Sequence, residues 1–344
     1  METLKSCPLC GEFGPFGVHI ECRDYLVSQE IFTVQRCEAC GFLFTNPRPS
    51  ADEMPEFYHS DEYISHAETP ASLQDKVYMK VKQLMLRQKL RVLNKHLNQG
   101  FEGSLSAVSE SNQYAQRSGR HEPKHGQHEQ NTPPDIYNIL DYGCGTGSFV
   151  YSAMEDGMNA IGFEPELSAR EVAAKQGVPV IGSESEMDSF ADQTFHAITL
   201  WHVIEHLHDF KEKTDSFYRL LKPGGVLILA APMANSSDAA IYGKYWAAWD
   251  LPRHILHFTP DTLKQAGRDA GFEYQEHKPL PFDAWYIALL SEQNKLKEEQ
   301  PEKKTGGPVA LPALKAAARG GWSNLKALAG TSPWSSQTFV FRKP

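Results

Sequence analysis

Hydrophobic positions along the 344-residue chain change period several times, and each change marks a different kind of element. Between residues 70 and 99, Val77, Val81, Leu84, Leu86, Leu90, Leu93 and Leu97 recur every two to four positions with Lys and Arg between them, which predicts an amphipathic helix. Gly100 is a suitable stop. From 135 to about 280 the pattern switches to short apolar runs alternating with helix-like stretches. The runs are Ile136–Tyr142, Ala160–Glu164, Val178–Ile181, Ala197–Trp201 and Val226–Ala231; helices are expected at Gly147–Asp156, Ser168–Gln176 and Asp209–Leu221. Runs without polar alternation fit strands buried on both faces, as in a parallel sheet covered by helices. One or two helices are expected within 291–330, and Gln337–Arg342 reads as a closing strand.

The remaining segments lack such periods. Residues 1–50 are rich in Cys, Gly and Pro and end in Asn46-Pro47-Arg48-Pro49. Residues 101–134 are polar and nearly free of large aliphatics, which predicts a disordered linker in which His121, His125 and His128 are solvated. The expected organisation is a small domain over 1–50, a helical connector over 51–100, the linker over 101–134 and an α/β domain over 135–344.

Charge narrows the partners. Lys and Arg number 34 against 43 Asp and Glu, a formal −9. A phosphate-backbone binder usually has the opposite balance, so bulk nucleic acid and anionic membranes are disfavoured, although a local basic patch is compatible. No run reaches the roughly 20 apolar residues of a membrane span. The start, Met1 to Gly14, lacks the apolar core of a signal peptide, so a cytoplasmic location with reduced thiols is expected.

Cys7-Pro8-Leu9-Cys10-Gly11 and Cys37-Glu38-Ala39-Cys40-Gly41 are two C-x-x-C knuckles with 26 residues between them. Four thiolates so arranged satisfy a tetrahedral Zn²⁺ and leave no open position, so the expected role is structural: metal binding substitutes for burial that about 50 residues cannot supply. Cys22 is left over. Basic residues within 1–50 are only Lys5, Arg23, Arg36 and Arg48, so no basic stripe marks this head as an RNA-binding surface.

Asp141-Tyr142-Gly143-Cys144-Gly145-Thr146-Gly147 carries an apolar strand into three alternating glycines and then a helix. Glycines let the backbone turn sharply and let a ligand approach the main chain. An acid ending the next strand suits ribose hydroxyls, and Glu164 stands 23 residues after Asp141. The dinucleotide fingerprint wants G-x-G-x-x-G, whereas Ser148 occupies its sixth place here.

The run resembles the first motif of class I S-adenosylmethionine (SAM)-dependent methyltransferases, D-x-G-C-G-T-G, and Leu221-Lys222-Pro223-Gly224-Gly225 resembles that family's turn into its fifth strand. Trp201–Leu207 (W-H-V-I-E-H-L) and Pro252–Pro260 (P-R-H-I-L-H-F-T-P) resemble a subgroup of it. The resemblance covers about 135–280 plus the final strand. It implies a doubly wound, mostly parallel seven-stranded sheet behind a zinc ribbon and a helical connector. Asp141, Gly143, Cys144 and Gly145 would line the methionine end of SAM, Glu164 the ribose and Glu184 the adenine side, where Ser183 departs from the family's usual acid. His196 likewise stands where an Asp is usual.

His202, Glu205 and His206 directly follow a strand end, where open sheets place ligands. H-x-x-E-H is also an inverted zinc-protease string, but that motif needs a long helix and a distant third ligand. The region also resembles small-RNA 2′-O-methyltransferases and some quinone O-methyltransferases, in which E-x-x-E-H binds Mg²⁺; here His202 replaces the first Glu, and His254 and His257 could complete a metal site or serve as bases. The expectation is that His202 contacts SAM, that His206 or His254 takes a proton, and that Glu205 assists. Tyr242, Tyr245, Trp246 and Trp249 could wall an acceptor pocket or form packing. The function implied is methyl transfer to a small or medium organic acceptor, with oxygen favoured. The alternatives are an RNA methyltransferase using the ribbon, a SAM-binding protein without turnover, and a nicotinamide oxidoreductase. Oligomeric state is not legible.

Overall fold

The computed structural model describes residues 1–58, 73–101, 136–299 and 310–344. The expected linker after Phe101, with His121, His125 and His128, lies outside the described residues. The chain carries two sheets. A four-stranded sheet has the order β1 (Gly17–Arg23), β2 (Ile31–Arg36), β3 (Leu43–Thr45) and β9 (Leu256–His257), every neighbouring pair antiparallel. Phe44 pairs with Leu256 and Leu43 with His257, so a segment more than 200 residues away completes a sheet that begins in the Cys-rich head.

The larger sheet has seven strands. They are β4 (Asn138–Tyr142), β5 (Asn159–Phe163), β6 (Val180–Ile181), β7 (Phe195–Trp201), β8 (Leu221–Pro232), β10 (Glu273–Pro279) and β11 (Ser336–Arg342), in the order β10-β11-β8-β7-β4-β5-β6. β5 and β7 flank β4 in parallel, β6 continues parallel beside β5, and β10 pairs antiparallel with β11. This is the doubly wound arrangement expected. β7 is buried at every position but its last and β8 at nine of twelve, which is why both read as unbroken apolar runs.

The expected turn at Leu221–Gly225 falls within the start of β8, where the chain bends at Gly224 with a φ of 77°. Gly224 donates to the Lys343 carbonyl at 2.9 Å, and Lys343 donates back to Gly225 at 2.9 Å, so the chain's tail holds these residues as strand.

Helices alternate with the strands: α1 (Leu73–Gly100), α2 (Ser148–Glu155), α3 (Leu167–Lys175), α4 (Glu184–Asp188), α5 (Phe210–Leu220), α6 (Ser237–Tyr242), α7 (Pro260–Asp269), α8 (Pro281–Glu299) and α9 (Ala310–Leu328). Their starts are written locally. Glu166 accepts from the Ser168 amide ahead of α3, and Thr259 forms a capping box with Thr262 ahead of α7.

The chain condenses into two compact units, each built from separated stretches. Unit 1 comprises Met1–Lys82, Leu200–Tyr218 and Ile228–Arg342; unit 2 comprises Gln83–Thr199, Arg219–Leu227 and Lys343–Pro344. In unit 1, Cys22, Phe32, Val34 and Leu43 of the head share a core with Tyr242, Trp246, Trp249 and Leu251. Cys22 is thus packing, its thiol pushed up to about 12 by burial. The core of unit 2 is drawn from Ile139, Leu140, Phe149, Val150, Ala153, Ala160 and Ile198.

Candidate functional site

In unit 2 the sequence between β4 and α2 folds as a tight bend. Gly143, Gly145 and Gly147 all have positive φ (76°, 54° and 78°), a conformation costly for residues with a Cβ. No atom lies within 4 Å of where a Gly145 Cβ would sit, so the bend is open on that side. The Phe163 carbonyl at the end of β5 accepts from the Gly143 amide at 2.8 Å and the Cys144 amide at 3.0 Å. This tie delivers Glu164 to the bend: its Oε2 accepts from the Gly145 amide at 2.9 Å and its Oε1 from the Glu166 amide at 2.9 Å. Burial raises the Glu164 carboxyl above the ordinary range, the two amide donors opposing. Each oxygen retains a lone pair for a hydroxyl donor.

Asp141 is fully buried at the end of β4 and accepts from Thr199 Oγ1 at 2.6 Å. Burial pushes its carboxyl up to about 7 against that hydrogen bond. Cys144 packs rather than reacts: an added Cβ on Gly162 would lie 2.3 Å from its Sγ, so β5 must be glycine there. Tyr142 donates to the exposed Glu184 at 3.0 Å, and Ser183 caps α4 through Glu186, which accounts for a serine at that position. His196 receives the Asn138 amide at 2.9 Å and stands 3.1 Å from Lys222 Nζ, a structural role.

In unit 1 the residues after β7 gather a dense set of acids and imidazoles. His202 takes a left-handed φ of 60° immediately after the strand, a conformation rare outside glycine and concentrated at functional turns. Its Nε2 lies 3.0 Å from Asp283 Oδ2 of α8 and its Nδ1 3.5 Å from Glu205 Oε1. Burial would lower its pKa, but the two carboxylates outweigh that and push it to about 10, so the ring is an imidazolium at neutral pH.

Glu205 is 1% exposed; its Oε1 faces His202 Nδ1 at 3.5 Å, and among the described residues neither carboxylate oxygen receives a well-aligned hydrogen bond. One ligand atom from each of Glu205, His206 and His254 falls within 4.8 Å of the others. His206 Nδ1 stands 3.0 Å from the Arg253 carbonyl and 2.9 Å from the Tyr58 hydroxyl, and His254 Nδ1 stands 2.9 Å from the Ala248 carbonyl. Those carbonyls place an N–H on Nδ1 of both rings, which leaves Nε2 of the neutral His206 with a lone pair. Burial, with repulsion from His254, lowers His206 to about 4. Two imidazole nitrogens and a carboxylate oxygen form a donor set suited to a divalent transition metal, and equally a base with a partner.

Arg253 organises this cluster, and the sequence reading passed over it. It is 1% exposed and pairs with Asp24 of the head at 3.0 Å and with Asp250 at 2.8 Å. It also donates to the Phe57 carbonyl at 2.9 Å, while its own carbonyl orients His206. Asp283, Asp250 and Tyr58 were likewise not singled out; each is far along the chain from the H-x-x-E-H run or outside any motif. His257 does not join them. It is buried 3.0 Å from Thr45 Oγ1 within the four-stranded sheet. Trp246 and Trp249 donate to Asp238 (2.8 Å) and the Gly243 carbonyl (3.0 Å) inside the unit 1 core, so packing accounts for them.

The four knuckle cysteines also converge within unit 1. Their sulfurs fall within 4.8 Å of one another, with Cys7 to Cys40 and Cys10 to Cys37 each 3.7 Å. Tetrahedral coordination with 2.3 Å metal–sulfur bonds spaces sulfurs by about 3.8 Å. The knuckles are matched: Gly11 and Gly41, both with positive φ, donate to the carbonyls of Cys7 (2.9 Å) and Cys37 (2.8 Å). All six cysteines are free thiols.

Residues 91–277 match the profile of a family described as "Methyltransferase domain". The chain is 24% identical over 221 residues to a demethylmenaquinone methyltransferase of Chlorobaculum tepidum, covering 57% of this chain and 86% of that protein. It is 31% identical over 163 residues to a ubiquinone biosynthesis O-methyltransferase of Xanthomonas axonopodis pv. citri, covering 43% of this chain and 67% of that one. Among solved structures it is similar to a SAM-dependent methyltransferase from Archaeoglobus fulgidus, with TM-score 0.41 and 17% identity over 60% of this chain and 86% of the other. No helix among the described residues is long and apolar enough to cross a membrane.

Proposed function

The chain belongs to the methyltransferase-domain family and is a SAM-dependent methyltransferase, and from that premise we propose that its acceptor is a small organic molecule methylated on oxygen. The observation that carries the proposal is the Glu205–His206–His254 group. His206 offers an unprotonated Nε2 and is neutral at physiological pH. A hydroxyl acceptor needs its proton removed, and a neutral imidazole suits that task. Relatives named as a demethylmenaquinone methyltransferase and a ubiquinone biosynthesis O-methyltransferase support the acceptor class.

Asp141, Gly143, Cys144, Gly145, Glu164 and Glu184 would hold SAM, which when bound supplies an electrophilic methyl on a sulfonium. The open side of the bend at Gly145 and the spare lone pairs of Glu164 fit a nucleoside with two sugar hydroxyls. The chain's own work is then to orient the acceptor and take its proton. His202, cationic between two acids, offers N–H groups and not a base.

A second reading of the same cluster rests on the two buried oxygens of Glu205, which receive no well-aligned hydrogen bond among the described residues. A divalent cation held by Glu205, His206 and His254 would satisfy them and polarise an acceptor hydroxyl. For the knuckles we propose a structural Zn²⁺ on Cys7, Cys10, Cys37 and Cys40, a fit supported by the sulfur spacing. Free thiols fit a reducing compartment such as the cytoplasm.

Transfer of label from methyl-labelled SAM to fractionated extract tests the acceptor class. Label should appear in small organic products and survive ribonuclease; label that ribonuclease removes would replace the small acceptor with RNA. His206→Ala should lower turnover while sparing S-adenosylhomocysteine affinity, and full turnover would return His206 to packing. Cys37→Ser should abolish stoichiometric zinc, and a variant retaining it defeats the zinc assignment.

A further inference from the structure

The segment between β10 and β11 carries an apolar surface that the methyl-transfer site does not use. α8 and α9 pack on each other within unit 1. α9 has two faces. Ala316, Gly320, Ser323, Asn324 and Ala327 are buried, with Ser323 donating to Asp238 at 2.9 Å and Asn324 to the Pro281 carbonyl at 2.9 Å. Opposite them, Leu314, Trp322, Leu325 and Leu328 are 52–72% exposed. At 3.6 residues per turn their spacings of eight, three and three keep them on one side of the helix. Trp285 of α8, 41% exposed, lies against Gly320 and Gly321 and extends the patch. Exposed large apolar side chains grouped this way mark an interaction site, whereas scattered ones do not.

The flank of the apolar face is basic. α9 contains Lys315, Arg319 and Lys326 and no Asp or Glu, in a chain whose net charge is −9. Arg319 is engaged by Glu292, which leaves Lys315 and Lys326 at the border of the patch; Lys326 Nζ sits 5.8 Å over the Trp322 ring. Leucines on one face, a tryptophan at its margin and lysines beside it describe a helix that lies in the plane of a bilayer surface. Its three basic residues are too many for a span.

We propose that the outer face of α9, with Trp285, docks this protein on an anionic lipid surface. The overall acidity disfavours such a surface, and α9 supplies the one described helix whose charge is wholly basic and whose apolar face is outward. Docking here is independent of which molecule accepts the methyl group.

Flotation of the full chain with vesicles tests this. One set is phosphatidylcholine alone and the other contains about one third phosphatidylglycerol. The wild type should float with the anionic vesicles and much less with the neutral ones, and its tryptophan emission should shift to the blue. The pair Leu325→Glu and Leu328→Glu should lower bound protein about tenfold or more. The milder pair Lys315→Gln and Lys326→Gln, the first exposed and the second half-buried beside Trp322, should remove the dependence on anionic lipid and on salt. S-adenosylhomocysteine affinity should stay unchanged in both, which separates docking from folding and from methyl-donor binding. Two outcomes overturn the proposal. In one, the wild type fails to float with either vesicle; in the other, flotation is indifferent to all four substitutions. A concentration-dependent dimer that Leu325→Glu splits, without vesicle binding, would assign the face to a second copy of the chain instead.

Discussion

The bend of unit 2 and the acid–imidazole cluster of unit 1 place buried ionisable groups by opposite means. The bend is written in one stretch of chain: Asp141 to Gly147 supplies the turn, and Glu164 is brought to Gly145 by a strand only 19 residues on. The cluster is collected from Asp24, Tyr58, His202 to His206, Asp250 to His254 and Asp283. A local site depends on backbone shape, so glycine space and strand pairing govern it. A collected site depends on charge balance, since several unlike groups must be buried together and each needs its partner.

The sharpest way to break the contrast is to remove the charge that balances the cluster. Arg253→Ala leaves Asp24 and Asp250 buried without their shared cation, and should destabilise unit 1 by about 3–5 kcal/mol. Chemical denaturation with the tryptophans of the unit 1 core as probes measures it. A loss below 1 kcal/mol would mean that the collected site does not rest on Arg253. Next in size is Gly162→Ala, whose methyl would meet Cys144 Sγ. Overpacking there should cost about 1–3 kcal/mol. Adding Cys144→Ala should recover most of that loss, and failure of the rescue would remove the steric account of the bend.

A third test sharpens the comparison by pH. Asp141 titrates near 7 when folded and near about 3.9 when unfolded. Between those values the unfolded chain releases a proton that the folded chain keeps, so the stability tied to this group is complete below about pH 4 and is lost as pH rises to 7. Asp141→Asn removes that loss. It should therefore be more stable than wild type by up to about 4 kcal/mol at pH 8 and equal to it at pH 4. Thermal unfolding at the two pH values reads the difference, and an equal gap at both would show that burial does not hold the proton.

The same contrast explains what could be read in advance. Strands β4 to β8, the bend and Glu164 were legible because apolar runs, glycines and an acid follow one another at fixed intervals. The knuckles were legible for the same reason. The pairing of β3 with β9 was not, because Leu256-His257 gives no local sign of the strand it will join. Nor was Arg253: it stood inside a recognised motif, but its partner Asp24 lies 229 residues away. His257 illustrates the limit from the other side. Three residues from His254 and equally histidine, it is turned to Thr45 by strand pairing, which no spacing rule foretells.

Calorimetric titration with S-adenosylhomocysteine, comparing wild type with Glu164→Ala, tests the central assignment most directly. If the carboxylate at the bend receives the sugar hydroxyls, the variant should lose about 1.5–3 kcal/mol of binding, roughly a ten- to hundredfold drop in affinity. Equal affinity in the two proteins would contradict it and move the nucleoside away from Glu164.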